Sequence, residues 1–483
     1  MEQTKINEIL ASVYSPKNKE RMESDYERYK IFNGQLKEII RDAIYKEFQL
    51  YDTIKEMVNR IVPINITSKI IQKLAKVYSG QVLRAPENPV DADKDALEFY
   101  EEYLEIDKQM KLANRYFKLF KHVMIEPYFD RYGVPKIRVM PSFTYSLYSD
   151  DIIEPNQPTE IIKHLVMTPN DKTKDIHVIT NNEEVITVTG DGIVLSSEPN
   201  EYGVSPYTLI KDNDEELLPI QDDDLISMQK CICLLLTDLS YASKYQSWSL
   251  FVLIGAKTDR PSFNPNAIIH LERDADGNAP SLDAIKPTLD SDAMLRQVEA
   301  LLGMLLTTKS LSIGSVSTTL TTTNTASGVA KILDQAETTE EKTDQVAYFS
   351  TAEKSFWYKF AHSILPVWKK NGSIMSDFIK TFTEVFKLAI SFPDQSVVAS
   401  EKDRIETIAL KLKNGLISQK LALKETNPEM SEEQLDELQN EINQERAEMF
   451  ANFPQDDNQS LKDAENINAS ENKNKSNDSA SAN

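Results

Sequence analysis

Few residues in this 483-residue chain are spaced for bond-making chemistry. Two acidic groups could be read as metal ligands: Asp150-Asp151 after Tyr148, and Asp222-Asp223-Asp224 after Pro219. A metal site needs carboxylates that converge, with further ligands at workable spacing. Here the acids are adjacent and no third ligand stands near Asp150 and Asp151, so a turn explains that pair better. The acids at 222–224 open a helix, where the dipole favours negative charge. Cys231 and Cys233 stand two apart on a predicted helix and point to different sides, which argues against a disulfide. They read as small buried residues in a reduced compartment. The five histidines, His122, His164, His177, His270 and His362, are scattered, and no HExxH, GxSxG or GxxxxGKS pattern occurs. No enzymatic reaction, cofactor or metal is expected. The residues give least support to an acid-metal enzyme built on 150–151 or 222–224.

A different chemistry is suggested from Leu311 to Ser327. Ten of these seventeen residues are Ser or Thr and none is charged; Lys309 is the one cation in reach. Hydroxyls at this density also suit a flexible linker, so the flanking elements decide the reading. Upstream, a helix from about Gln221 to Gln246 has Leu225, Met228, Ile232, Leu235, Leu236, Leu239 and Ala242 on one stripe. Leu250–Ile254 follows as a buried strand ending at Gly255, and then a Pro- and Asp-rich segment runs from 257 to 287. A second helix starts near Asp290-Ser291 with Leu295, Val298, Leu301, Leu302, Leu305 and Leu306 on one side. Downstream, Ser327 can cap a helix that begins at Gly328 and passes through Val346, Phe349 and Phe356 to Pro366, where a bend is expected.

The N-terminal half supplies the rest of the scaffold. Residues 1–13 suit a short amphipathic helix. Ser15-Pro16 opens a highly charged helix to Phe32, read as a solvated surface helix. Pro63 and β-branched neighbours make 59–66 extended; Thr67 or Ser68 then caps a helix with Ile70, Ile71, Leu74 and Val77, closed by Gly80. Residues 92–122 read as helical. His122–Asp130 and Lys136–Met140 form a hairpin around Arg131-Tyr132-Gly133, and Glu160–Met167, Asp175–Thr180, Glu184–Thr189 and Ile193–Leu195 continue an antiparallel sheet of some 70 residues, with Gly190-Asp191-Gly192 as a tight turn. Phe378–Phe392 suits either a helix or a strand. Residues 400–424 are helical with a break at 415–418, and an acidic helix covers 432–450.

Two apolar-striped helices joined by a polar insert, then a loop, then a long helix opening with Ser-Gly, resemble the core of a portal protein of tailed bacteriophages. Asn65, Ile70, Tyr78 and Gly80, and the Tyr202-Gly203-Val204-Ser205-Pro206 segment leading out of the sheet, are similar to features of that family's wing. The resemblance covers about 59–370. It implies an α+β, mainly α, portal fold: wing at 1–220 with its sheet at about 122–195, first stem helix and strand at 221–254, clip at 255–288, second stem helix at 289–311, tunnel loop at 312–327, long kinked helix and the rest of the wing at 328–399, and a helical crown at 400–453. Residues 454–483 lack apolar content and are expected to be disordered.

The resemblance further implies a homo-oligomeric ring of about twelve subunits at one capsid vertex. Double-stranded DNA would pass through its channel without sequence recognition. The clip would receive the terminase large subunit and adaptor or head-completion proteins, and the ring would meet the major capsid and scaffolding proteins. On that footing Lys309, Ser315, Ser317, Thr318, Thr319, Thr321, Thr322, Thr323 and Asn324 would face the DNA, and Asp259, Arg260, Glu272, Arg273, Asp274 and Asp276 would dock partners. A net charge of −22, from 76 acidic and 54 basic residues, argues against a protein that grips nucleic acid through a basic surface. It suits a wall past which DNA slides, because hydroxyls offer phosphate only weak hydrogen bonds. The strand 250–254 could pair with Ile268–Leu271 or with a neighbouring subunit. The N-terminus is charged and no apolar run reaches about 18 residues, so neither a signal peptide nor a membrane span is expected. The alternative is another structural phage head or scaffold-like protein with long helices that closes no ring.

Overall fold

The chain begins with helices whose limits follow from local chemistry. A computed structural model describes residues 1–47, 51–168, 171–246, 250–254, 281–285, 290–311, 328–371, 380–392, 408–413, 417–426, 438–440 and 442. Helix α1 (Gln3–Val13) buries Ile6, Ile9, Leu10 and Val13. Ser15 Oγ accepts from Asn18 N to cap α2 (Pro16–Phe32), whose first turn holds Pro16. Helix α2 is not the solvated helix that its charge predicts. Arg21, Asp25 and Arg28 recur at helical spacing and all three are buried. Arg21 Nη1 donates to Ser142 Oγ (2.8 Å) and Ser142 O (3.1 Å), and Ser142 Oγ donates to Asp25 (2.5 Å). Charges at this spacing fill a polar seam between the helix and residues 142–145, a partner that composition cannot reveal.

Helices α3 (Leu36–Glu47) and α4 (Tyr51–Val58) follow. Helix α5 (Ile66–Leu74) is capped by Asn65 rather than by Thr67 or Ser68, and it ends at Leu74, well short of Gly80. Asn65 Oδ1 accepts from Ser68 N (2.9 Å) while its Nδ2 donates to Ile31 O (2.7 Å), so the cap is chosen by a contact with α2. Strand β1 (Leu83–Pro86) comes next. The helix expected over 92–122 is two helices, α6 (Asp91–Leu104) and α7 (Ile106–Phe120), split at Glu105, which adopts the left-handed conformation (φ 50°).

The single sheet expected is two. Strands β2 (His122–Phe129) and β3 (Pro135–Met140) form the predicted hairpin. Strands β4 (Tyr145–Tyr148), β5 (Glu160–Val166), β6 (Ile176–Thr180), β7 (Glu184–Thr189) and β8 (Val194–Pro199) make a separate antiparallel meander. Strand β9 (Thr208–Lys211) returns to pair with β2, giving the order β3-β2-β9. The sequence signal missed β4 and β9, which have only four residues each, too few for alternation to register.

Helix α8 (Asp224–Gln246), strands β10 (Leu250–Ile254) and β11 (Ser281–Ile285), and helix α9 (Ser291–Thr308) follow. Strand β10 pairs with β11 in the same chain, Leu250 opposite Ile285; residues 268–271 lie outside the described residues. Asp290 caps α9, its carboxylate accepting from Ala293 N at 2.9 Å. Helix α10 (Gly328–Lys359) is the long helix expected from the proline-free run. Its hydrogen bonding widens to a π-helical turn over Phe360–Ile364 before α11 (Leu365–Lys370). Pro366 has no N–H to donate, which accounts for the interruption where a bend was predicted. Of 378–392, residues 380–387 form no helix, and β12 (Leu388–Ser391) pairs with β1.

These elements belong to a unit spanning Met1–Gln395. Its main core joins α5, α6, α7, the three-stranded sheet and the end of α10, with Tyr100, Phe117, Phe349, Phe356, Trp357 and Phe360 fully buried. Each such aromatic contributes about 1.5–3 kcal/mol of burial. A second core packs α1 on Ile162, Ile179, Ile186 and Val188 of the five-stranded sheet. A third joins α3 and α4 to Ile226 and Cys233 of α8. The unit Ser396–Asn483 contains a helical turn at 408–413 and α12 (Gln419–Thr426), where Ser418 Oγ accepts from Leu421 N (3.2 Å). Most of the expected helix at 432–450 and all of 454–483 lie outside the described residues.

Candidate functional site

Helices α8 and α9 contact one another, and the hydroxyl-rich stretch leaves from the C-terminal end of α9. The chain turns there through Ser310, in the left-handed region (φ 53°), and Leu311 N donates back to Leu306 O (2.8 Å) with Leu311 buried. Lys309 Nζ meets Asp224 Oδ2 at 2.7 Å, joining the end of α9 to the start of α8. A cavity of about 320 Å³ opens beside this pair, lined by Lys118, Lys121, Asp222, Asp344 and Tyr348. The expected cation is thus already neutralised by a carboxylate. Ser315, Ser317, Thr318, Thr319, Thr321, Thr322, Thr323 and Asn324 lie outside the described residues, as do Asp259, Arg260, Glu272, Arg273, Asp274 and Asp276.

The top of α8 is fastened to the N-terminal half by polar side chains. Arg28 donates to Gln221 O and Asp222 O (3.0 Å each) and pairs with the Asp223 carboxylate. The acids that open the helix therefore face an arginine as well as the dipole. One turn further on, Gln229 is fully buried. Its Oε1 accepts from Ile66 N (2.8 Å) and Thr67 N (2.9 Å), and its Nε2 donates to Ile64 O (2.7 Å). Thr237 Oγ1 accepts from Val62 N (3.2 Å), and Lys230 and Lys244 pair with Glu27 and Glu56 (2.7 Å each). By length and composition Asp224–Lys244 is apolar enough to cross a membrane, against the sequence expectation. Its polar side chains answer to the helices and backbone packed on it, which accounts for the apolar remainder as a packing face.

That face is only partly used. Burial on α8 is dense at Leu225, Ile226, Ile232 and Cys233 and incomplete beyond; a third of its most apolar window is buried. On α9 only Leu305 and Leu306 are buried, while Leu295 and Met304 are 43 % and 62 % exposed. Cys233 is buried as expected, but Cys231 is exposed.

Helix α10 is locked by a charge that sequence reading passed over. Glu353 is fully buried and takes Arg84 Nε from β1 and the Tyr78 hydroxyl (2.6 Å). Arg84 also reaches Asp107 (2.8 Å). Two of the five scattered histidines are brought together. His164 and His177 place their Nδ1 atoms 2.9 Å apart, Tyr14 OH bridges His177 Nε2 (2.9 Å) and Asp175 (2.7 Å), and Ser146 Oγ meets His164 Nε2 (2.9 Å). His122 lies between Tyr145 OH (2.6 Å) and Ser142 Oγ (3.1 Å). Burial holds His122 and His164 well below the ordinary imidazole range and lowers His177. Asp150 and Asp151 form a turn: Asp151 Oδ1 accepts from Ile153 N (2.8 Å) and Glu154 N (3.2 Å), and Asp150 pairs with Lys5 (2.9 Å). Among the described residues no three His, Cys, Asp or Glu side chains converge to hold a metal. What the arrangement offers is a pair of helices in contact, the first tied by polar side chains to the N-terminal half, with apolar surface left over along their length.

A family model described as phage portal protein, SPP1 Gp6-like, matches residues 15–448. No curated protein sequence matches the chain.

Proposed function

The chain belongs to the phage portal protein family, and from that premise we propose that it assembles as a closed ring, of about twelve subunits, at one capsid vertex. The family is one of structural, capsid-associated components of the virion. Its members serve at the junction of head and tail. In this reading α8 and α9 are the stem, 255–288 the clip, 312–327 the tunnel loop, α10 and α11 the long kinked helix of the wing, and 400–453 the crown. Double-stranded DNA passes through the channel during packaging and ejection. The terminase large subunit and head-completion proteins dock at the clip through Asp259, Arg260, Glu272, Arg273, Asp274 and Asp276, and capsid and scaffolding proteins meet the outer face.

The observation that supports a ring is the leftover apolar surface of α8 and α9. A helix with so apolar a stretch, only a third of it buried although Arg28, Gln229 and Lys244 hold the helix to the N-terminal half, needs a further partner. Neighbouring copies related by rotation supply one at every subunit. The net charge of −22 and the uncharged hydroxyls of 312–327 favour passage over grip. Lys309 stands at the root of that loop with its charge balanced by Asp224, which limits its hold on phosphate. Native mass measurement with negative-stain imaging tests the proposal. A ring of about twelve or thirteen copies with a central hole is expected; a stable dimer or trimer at every concentration overturns it in favour of a head protein that closes no ring.

A further inference from the structure

The loop between β4 and β5 presents Ile152 and Ile153, 95 % and 89 % exposed, more than any other large apolar side chain among the described residues. Single exposed apolar residues are ordinary, but these two are adjacent and their loop is held. Asp151 Oδ1 takes two backbone N–H groups, Asn156 Nδ2 donates to Glu215 O (2.7 Å), and Lys211 Nζ donates to Asn156 O (2.9 Å). Much of the ordering cost of binding is therefore met before any partner arrives. The pair is flanked by Asp151 and Glu154, and Glu154 has no basic partner among the described residues.

A concavity of the opposite character lies elsewhere on the chain. A cavity of about 620 Å³ is lined by Tyr78, Gly80 and Leu112, with Lys108, Lys111 and Arg115 around it. Lys108 is paired with Glu105 (2.5 Å), and Asp107 is engaged by Arg84 (2.8 Å). Lys111 and Arg115 meet no carboxylate among the described residues. This cavity sits at the N-terminal half of α7. The loop is tied through Lys211 to the opposite end, where Asp212 N donates to Lys121 O (2.9 Å). Nine residues of helix, about 14 Å, separate Leu112 from that end. Ile152 and Ile153, almost fully exposed, are not among the residues that line the cavity, so the two do not meet within one chain.

We propose that Ile152 and Ile153 of one copy seat in the Leu112 cavity of the next, with Glu154 facing Lys111 and Arg115. Two different patches on one chain make a head-to-tail contact, which repeats in one rotational sense and either closes or continues. That the series closes rests on the ring reading above; the contact itself does not.

Self-association of the purified full-length chain, followed by sedimentation across concentration, tests it. The variants are Glu154→Arg, Lys111→Glu and the two combined, with Ile152→Asp as a second probe of the apolar pair; all three positions are exposed, so folding is retained. Each single change is expected to weaken association about tenfold and the combined swap to restore it to within about threefold, since reversing one charge sets like charges together and reversing both does not. Unchanged association in the single variants, or a combined variant weaker than either, overturns the contact. Negative-stain images of the same samples separate the two readings. Rings that ignore the charge swap overturn this contact alone. Association that obeys the swap but yields open chains supports the contact and overturns the ring, and a chain that stays monomeric at all concentrations overturns both.

Discussion

Gln229 on α8 and Thr67 at the start of α5 are 162 residues apart in sequence and share a fully buried hydrogen-bond node. Gln229 Oε1 accepts from Thr67 N (2.9 Å), from Thr67 Oγ1 (3.2 Å) and from Ile66 N (2.8 Å). A side-chain amide thus does for α5 what a local cap would do, and in doing so it fixes the angle at which the first long helix leaves the N-terminal half.

Removing that amide tests its role. Gln229→Ala strands the buried N–H of Thr67, worth about 1–3 kcal/mol when left unsatisfied, and frees the half-buried N–H of Ile66 and carbonyl of Ile64, which cost less because water can reach them. A loss of about 2–4 kcal/mol in urea unfolding is expected. Lys230→Ala, which breaks only the part-exposed pair with Glu27, is expected to cost under about 1 kcal/mol. Equal losses in the two variants would show that the node does not anchor α8.

The contrast between α9 and α5 shows what the chain reveals by itself. The start of α9 was legible to within a residue because Asp290-Ser291 opens it and its leucines recur at the helical period, whereas its end falls at Thr308, short of the expected Leu311. For α5 the sequence points to Thr67 or Ser68 as the cap, and the choice of Asn65 instead depends on Ile31, which only tertiary structure brings near. The β1–β12 pairing joins Leu83 to Ser391, and neither four-residue strand has a pattern of its own. Within the candidate site, the acids before α8 were read as dipole partners; that Arg28 binds two carbonyls beside them has no local signature. The loop and insert residues expected to meet DNA and docking partners lie outside the described residues, so that expectation rests on their composition and on the family alone.

Glu353 gives a second test. Removing one member of a buried ion pair leaves the other uncompensated, at a cost of about 3–5 kcal/mol. Glu353→Ala is expected to lose about that much, because Arg84 keeps only Asp107 and Glu101, both nearer the surface. Arg84→Met combined with Glu353→Leu should recover most of the loss in the same unfolding assay, since replacing both partners by apolar groups is near neutral. A double variant no better than Glu353→Ala would show that the shape of the seam, and not its charge, sets stability.

Gly190 is required by approach distance. A Cβ there would stand 2.1 Å from Tyr14 OH and 2.3 Å from Lys172 O. Gly190→Ala must push α1 away from the five-stranded sheet or shift the turn at 172, an overpacking cost of about 1–3 kcal/mol. Tyr14→Phe in the same background makes room for part of that atom and should recover some of the loss at the expense of the Asp175 hydrogen bond. A thermal melt of Gly190→Ala indistinguishable from the parent would remove Tyr14 as the reason for the glycine.

Three histidines give the fold a pH dependence whose direction follows from their burial. The folded-state pKa values of His122, His164 and His177 all lie below the ordinary value near 6.5. Desolvation is the first cause for each; Arg21 adds to it for His122 and His164, and Asp175 opposes it for His177. The unfolded chain therefore takes up protons that the folded chain refuses as pH drops below about 6.5. Stability from this source is complete above that value and is lost on acidification, at up to about 4 kcal/mol per pH unit once three protons separate the two states. The His164–His177 contact sharpens the point, because Nδ1 atoms 2.9 Å apart can share one proton but not face each other with two. Urea midpoints measured from pH 7.5 to 5.0 should fall steadily, and His177→Gln should reduce the slope by about a third. A midpoint independent of pH across that range would mean that these imidazoles accept protons without cost to the sheet.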